Sequence, residues 1–110
     1  MITPTSSFKD NLALLPTLGD IACIELRDAD GAVLSSIENQ PGKQGSLVVY
    51  QYLKQTFGAL TPDAASHALD IFAEHTEDAK NRPGAHSNID RLFEVISSGT
   101  TQSIAIIPAD

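Results

Sequence analysis

The sequence predicts an α+β fold: a small antiparallel sheet, made of a hairpin plus a C-terminal strand, packed with about four helices in the order α-β-β-α-α-α-β. Three observations carry this. Residues 21–28 and 32–39, IACIELRD and AVLSSIEN, alternate apolar and polar side chains on either side of Asp28-Ala29-Asp30-Gly31, the pattern of a half-buried hairpin. Several other stretches repeat apolar residues at helical spacing, and QSIAIIP at 102–108 adds a short β-branched run. The 110 residues suit a single globular domain, in which roughly two thirds of the unfolded surface is buried.

The elements follow in chain order. Residues 1–5 carry Pro4 and little to bury, and are expected to fray. Ser6 or Ser7 caps a short helix in which Phe8, Leu12 and Leu15 share a face, ending at Pro16. In the first strand Ala22, Ile24 and Leu26 face one way and Cys23, Glu25 and Arg27 the other; Gly31 suits the left-handed conformation that closes the hairpin. The loop Asn39–Gly45 leads to a helix capped by Ser46. Leu47, Val48, Val49, Tyr50, Tyr52 and Leu53 make its first turns apolar on nearly every side, the mark of a helix surrounded by other elements or buried in a subunit interface. It stops at Gly58.

Thr61 and Pro62 open the next helix as N-cap and first residue, and the pattern runs to about Lys80 before NRPG breaks it. Ser87 with Asp90 resembles a capping box, and Ile89, Leu92, Phe93 and Ile96 define an apolar face ending at Gly99. If the final strand joins the hairpin, Ile104 and Ile106 face one side of the sheet, Ala105 and Ile107 the other, and an edge stays exposed. That edge and the all-round apolar helix tilt the expectation toward a homodimer.

Charge and composition narrow the function. Fourteen acidic against seven basic side chains give a formal charge of −7, which repels nucleic-acid backbones and anionic membranes. With no Trp and two Tyr, a stacking platform for bases is not expected. The single Cys23 forms no internal disulfide, and the N-terminus lacks the pattern of a signal peptide, so a cytoplasmic location is expected.

Two stretches carry candidate chemistry. PGKQGS places Lys43 and two glycines directly before a helix N-terminus, where free amides and the helix dipole favour an anion. The spacing is not that of a Walker A loop. The plain reading is a capped strand-to-helix connection; the sharper one is a phosphate or carboxylate site built from Lys43, the Gly45 and Ser46 amides and the Ser46 hydroxyl. The second stretch, AEHTEDAKNRPGAHSNID, gathers His75, Arg82 and His86 among four carboxylates. His75 beside Ala68, Ile71 and Ala79 reads first as a half-buried, hydrogen-bonded histidine, and Arg82 and His86 either pair with Glu77 and Asp78 or face an anion. A metal would draw on Glu74, His75 or Asp78 with His86, but HExxH, CxxC and calcium-loop spacings are absent and neither metal nor cofactor is expected. Cys23 has no neighbouring base, and His67 near Asp70 reads as solvated surface.

The segments FKDNLALLP, IELRDADG, IENQPGKQGSLVVY and FAEHTEDAKNRPGAHSNIDRL resemble a family of short bacterial proteins known only as a domain of unknown function. The resemblance runs from Phe8 to Gly99, and its most specific words are PGKQGSL and FAEHTEDA followed by RPGAHSNIDRL. It implies a bacterial cytosolic protein and brings no catalytic residue with it. Two functions stay open. One is a self-associating interaction or regulatory module without enzymatic activity; the other is a binder or enzyme for a small anion held between Pro41–Ser46 and Arg82–Ser87.

Overall fold

The computed structural model describes residues 1–109 and has the expected α+β architecture. β1 (Ile21–Arg27) is the middle strand of three, antiparallel to β2 (Val33–Glu38) on one side and to β3 (Ser103–Pro108) on the other. Ile24, Leu26, Ile37 and Ile104 bury on the inner face. Cys23, Glu25 and Arg27 lie half-buried on the outer face, where Glu25 and Arg27 form an ion pair. Asp28 shapes the hairpin turn, its Oδ1 accepting the amides of Asp30 and Ala32 at 2.9 and 3.0 Å, and Gly31 has φ +86°. One detail differs from the alternation. The pairing shifts between Ile21 and Cys23, so Ile21 turns inward and Ala22, expected beside Ile24, is exposed.

α1 (Phe8–Ala13) is a short helix whose Ser7 cap accepts the Asp10 amide. Residues 1–5, expected to fray, make specific contacts: the Ile2 amide donates to Tyr52 Oη at 3.0 Å, and Thr5 donates to Asn11 Oδ1 through its amide and hydroxyl. α2 (Gln44–Phe57) is the buried centre, packed by α1, β1, β3 and the helix that follows it. Its apolar excess is therefore absorbed within the chain, which removes the argument for a subunit interface drawn from that helix. Gln51, buried on α2, accepts the Gly19 amide at 2.8 Å and donates to Thr17 O at 3.1 Å, fastening the connection between α1 and β1.

The predicted helix from Thr61 to about Lys80 is divided at Ala73 into α3 (Pro62–Phe72) and α4 (Glu74–Asn81). Thr61 caps α3 as expected, accepting the Ala64 amide at 3.0 Å. Ala73 adopts φ +51°, ψ −115°, which an L-residue holds only when surrounding bonds over-determine it. Here side chains take up carbonyls near the break: Asn11, wholly buried, donates to Ile71 O at 2.9 Å, and Thr76 donates to Leu69 O at 2.6 Å. α5 (Ser87–Ser98) packs on α3 through Ile89, Leu92 and Val95. Its buried stripe is rotated from the predicted one, since Ile96 is exposed and Val95 takes the inward position.

Candidate functional site

A cleft of about 520 Å³ opens where α1, the starts of α2 and α5, and the α3–α4 junction meet. It brings the two candidate stretches together: Lys43, Gly45, Ser46, His75 and His86 all line it. Arg82 does not. Phe8, Leu12, Phe72 and Ile89 form its apolar part.

The polar wall begins at α2. Asn39 anchors the preceding loop to β1, donating from Nδ2 to Ile21 O at 2.7 Å and from its amide to Ala22 O at 3.0 Å. Gly42 then turns the chain at φ +85°, and the Lys43 amide donates to Gln40 O. The helix starts three residues earlier than expected: Lys43 is the N-cap, so Ser46 lies in the first turn and is not the cap. Lys43 makes no capping bond, and the first intrahelical donor after it is Leu47, which bonds Lys43 O at 3.2 Å. Among the described residues the amides of Gln44, Gly45 and Ser46 thus have no backbone acceptor, and no acidic side chain stands in the first turn. Gly45 is also a packing requirement, since a Cβ there would stand 3.2 Å from the Phe8 ring.

α5 presents a second such end. His86, not Ser87, is its N-cap, and its side chain makes no capping bond. Asp90, expected to complete a capping box, reaches back to accept the Gly84 amide at 2.9 Å and holds the NRPG loop. The His86 carbonyl accepts the Ile89 and Asp90 amides, leaving those of Ser87 and Asn88 without backbone partners among the described residues. Tyr50 fixes this end from beneath, donating to Asn88 O while Arg91 donates to Tyr50 Oη at 3.1 Å. Burial raises the Tyr50 phenol above its ordinary value against the pull of Arg91.

The histidine corner is set by α4. His86 Nε2 lies 2.6 Å from Asp78 Oδ2, and the same carboxylate accepts from Arg82, Nε to Oδ1 at 3.0 Å. Arg82, then His86, hold the Asp78 carboxyl well below the usual range, and the Arg82 guanidinium is raised in return. This is the pairing that sequence offered as one alternative, with Asp78 as the acid; Glu77 meets Lys80 instead. His75 is half-buried as expected, but no hydrogen bond reaches its ring from the described residues. It stands edge-on to Phe8 with centroids 5.1 Å apart, and 5.9 Å from the His86 ring. Glu74 accepts the Phe8 amide at 2.6 Å, which lowers its carboxyl pKa and joins the start of α4 to the start of α1.

His67 is not solvated surface. Its Nε2 lies 2.8 Å from Tyr52 Oη and its ring tilts against Tyr52 and Phe57, so burial lowers its pKa despite Asp70. Sequence reasoning missed the apolar part of the cleft because nothing local indicates that Phe8 and Leu12 will pack at the start of α2.

Among the described residues no group of three or more His, Cys, Asp or Glu side chains is arranged to hold a metal, and no helix is long and apolar enough to cross a membrane. What fold and site define is a small α+β protein with an amide-rich, partly apolar cleft. The chain belongs to the family described as "Uncharacterized protein conserved in bacteria (DUF2322)", whose model matches residues 8–106 and so takes in much of β3 as well as the segment ending at Gly99. No curated protein and no solved structure gives a match.

Proposed function

We propose that this protein binds a small anionic molecule carrying an apolar group. The observation that carries the reading is the convergence of two helix N-termini, neither capped by a side chain, with Lys43, His75 and His86 on one cleft. Each N-terminus contributes roughly half a positive charge and donors without partners. In a chain with a formal charge of −7, no Asp or Glu among the described residues lines this cleft. The anionic head meets the amides of Gln44–Ser46 and of Ser87–Asn88, and the apolar portion lies against Phe8, Leu12 and Ile89. A cytoplasmic metabolite is the kind of molecule this describes.

Calorimetric titration with phosphate, sulfate, benzoate and phenyl phosphate tests it. At least one anion binds, and Lys43→Ala weakens that anion about tenfold or more, the loss of one charge-assisted contact. Equal affinity in Lys43→Ala would remove the site.

A second reading, self-association, draws support from the edge strand β2, where Val33 and Leu34 are 52% and 53% exposed. Pairing of two β2 edges would make one continuous sheet. Light scattering across a concentration series checks it, a monomer at every concentration counting against it.

A further inference from the structure

We infer, on the strength of the anion-binding reading, that the ligand is a phosphomonoester and that its capture is coupled to proton uptake by the His75–His86 pair. The donor set favours phosphate. The first-turn amides of α2 and α5, the Ser46 and Ser87 hydroxyls and the Lys43 ammonium exceed what the two oxygens of a carboxylate accept, whereas a phosphomonoester brings three terminal oxygens and a charge near −2.

The imidazoles supply the coupling. Asp78 engages Nε2 of His86, so the proton gained when that ring becomes a cation goes to Nδ1, which has no partner among the described residues. His75 has neither nitrogen engaged by the described residues and lies 5.9 Å away, ring centre to ring centre. Two imidazolium ions this close repel each other, and an anion in the cleft they share offsets that repulsion. The charged groups around the pair are Asp78, Arg82 and Glu74 from α4, Lys43 from the start of α2, and Asp90 from α5, the last engaged with Gly84. Glu74 is bound to the Phe8 amide, and the Asp78 charge is shared with Arg82. Neither carboxylate lines the cleft, so an anion bound there adds to Asp78 as a counter-ion of the pair. By linkage, a ligand that favours the protonated rings binds more tightly as pH falls and more weakly as it rises.

The experiment is calorimetry on the full chain with phenyl phosphate, benzoate and sulfate between pH 6 and 8, repeated in two buffers of different ionisation enthalpy to count protons. Sulfate keeps its charge across this range and separates the protein's titration from the ligand's. The expected result is phenyl phosphate binding more tightly than benzoate, protons absorbed with sulfate and fewer with phenyl phosphate at the acid end, where selecting its dianion releases the ligand's own proton, and the sulfate Kd rising by up to about tenfold per pH unit for each coupled proton. His75→Gln with His86→Gln abolishes the uptake. Benzoate binding as tightly as phenyl phosphate overturns the phosphate assignment. Sulfate binding without proton exchange overturns the coupling, and so does unchanged uptake in a double variant of unaltered melting temperature. Each of these results leaves the anion site standing. Absence of binding by all three probes at about 10 mM overturns the site together with the inference.

Discussion

His67 and His86 have acids at very different distances along the chain. Asp70 follows His67 by three residues on the same helix, and Asp78 precedes His86 by eight across a Pro-Gly loop. Yet His67 bonds Tyr52 and is governed by burial, whereas His86 takes Asp78 as its partner. The cause is backbone geometry. α3 presents His67 to the Tyr52–Phe57 side of α2, while the turn at Ala73 and the NRPG loop fold α4 and the start of α5 toward each other. The lesson is that a histidine's chemistry follows the path of the chain between elements more than its neighbours in sequence.

That contrast can be broken at its hinge. Asn11→Ala removes the donor to Ile71 O and the acceptor for Thr5, and the buried carbonyl left behind costs about 2–3 kcal/mol, read as a lower urea midpoint. Histidine NMR signals should move most at His75, next to the Ala73 break, and least at His67. A smaller effect of opposite sign is expected from Ala73→Gly. Glycine tolerates φ +51° without a Cβ penalty, so stability rises by up to about 1 kcal/mol in chemical denaturation.

The pH profile sharpens the comparison further. The folded pKa of His67 lies below its ordinary 6.5, so the unfolded chain takes the proton first and stability falls as pH drops through and below that value. His67→Gln should flatten this slope in melting curves taken between pH 7 and 5. Asp78 is also depressed, but its contribution is present above the ordinary 3.8 and is lost only as pH falls further toward the folded value. Asp78→Asn should remove that more acidic loss and leave the His67 slope in place.

Much of the fold was legible because its signals are local. Gly31 between alternating strands, the Thr61-Pro62 start and the glycine stops at Gly58 and Gly99 each act within one turn of chain. Ser46 and Ser87 misled for the same reason: a serine near a helix start invites the cap role, but the loops wind into α2 and α5 earlier, at Lys43 and His86. The break at Ala73 was illegible because its stabilising donor, Asn11, comes from 60 residues away. For the candidate site, the polar residues of both loops were visible in the sequence. Their meeting depends on the packing of α1 and α5 around α2, which periodicity does not specify.

The position of β1 has a consequence for how the chain acquires its structure. Arg27 pairs with Val33 through a tight turn but with Ser103 at a separation of 76 residues. Closing the hairpin is a local event, whereas seating β3 must wait for the intervening helices, and such distant pairings slow folding. During synthesis on the ribosome one side of β1 therefore stays bare until residues 103–108 have emerged, and it is at that strand that a newly made chain is most open to mispairing.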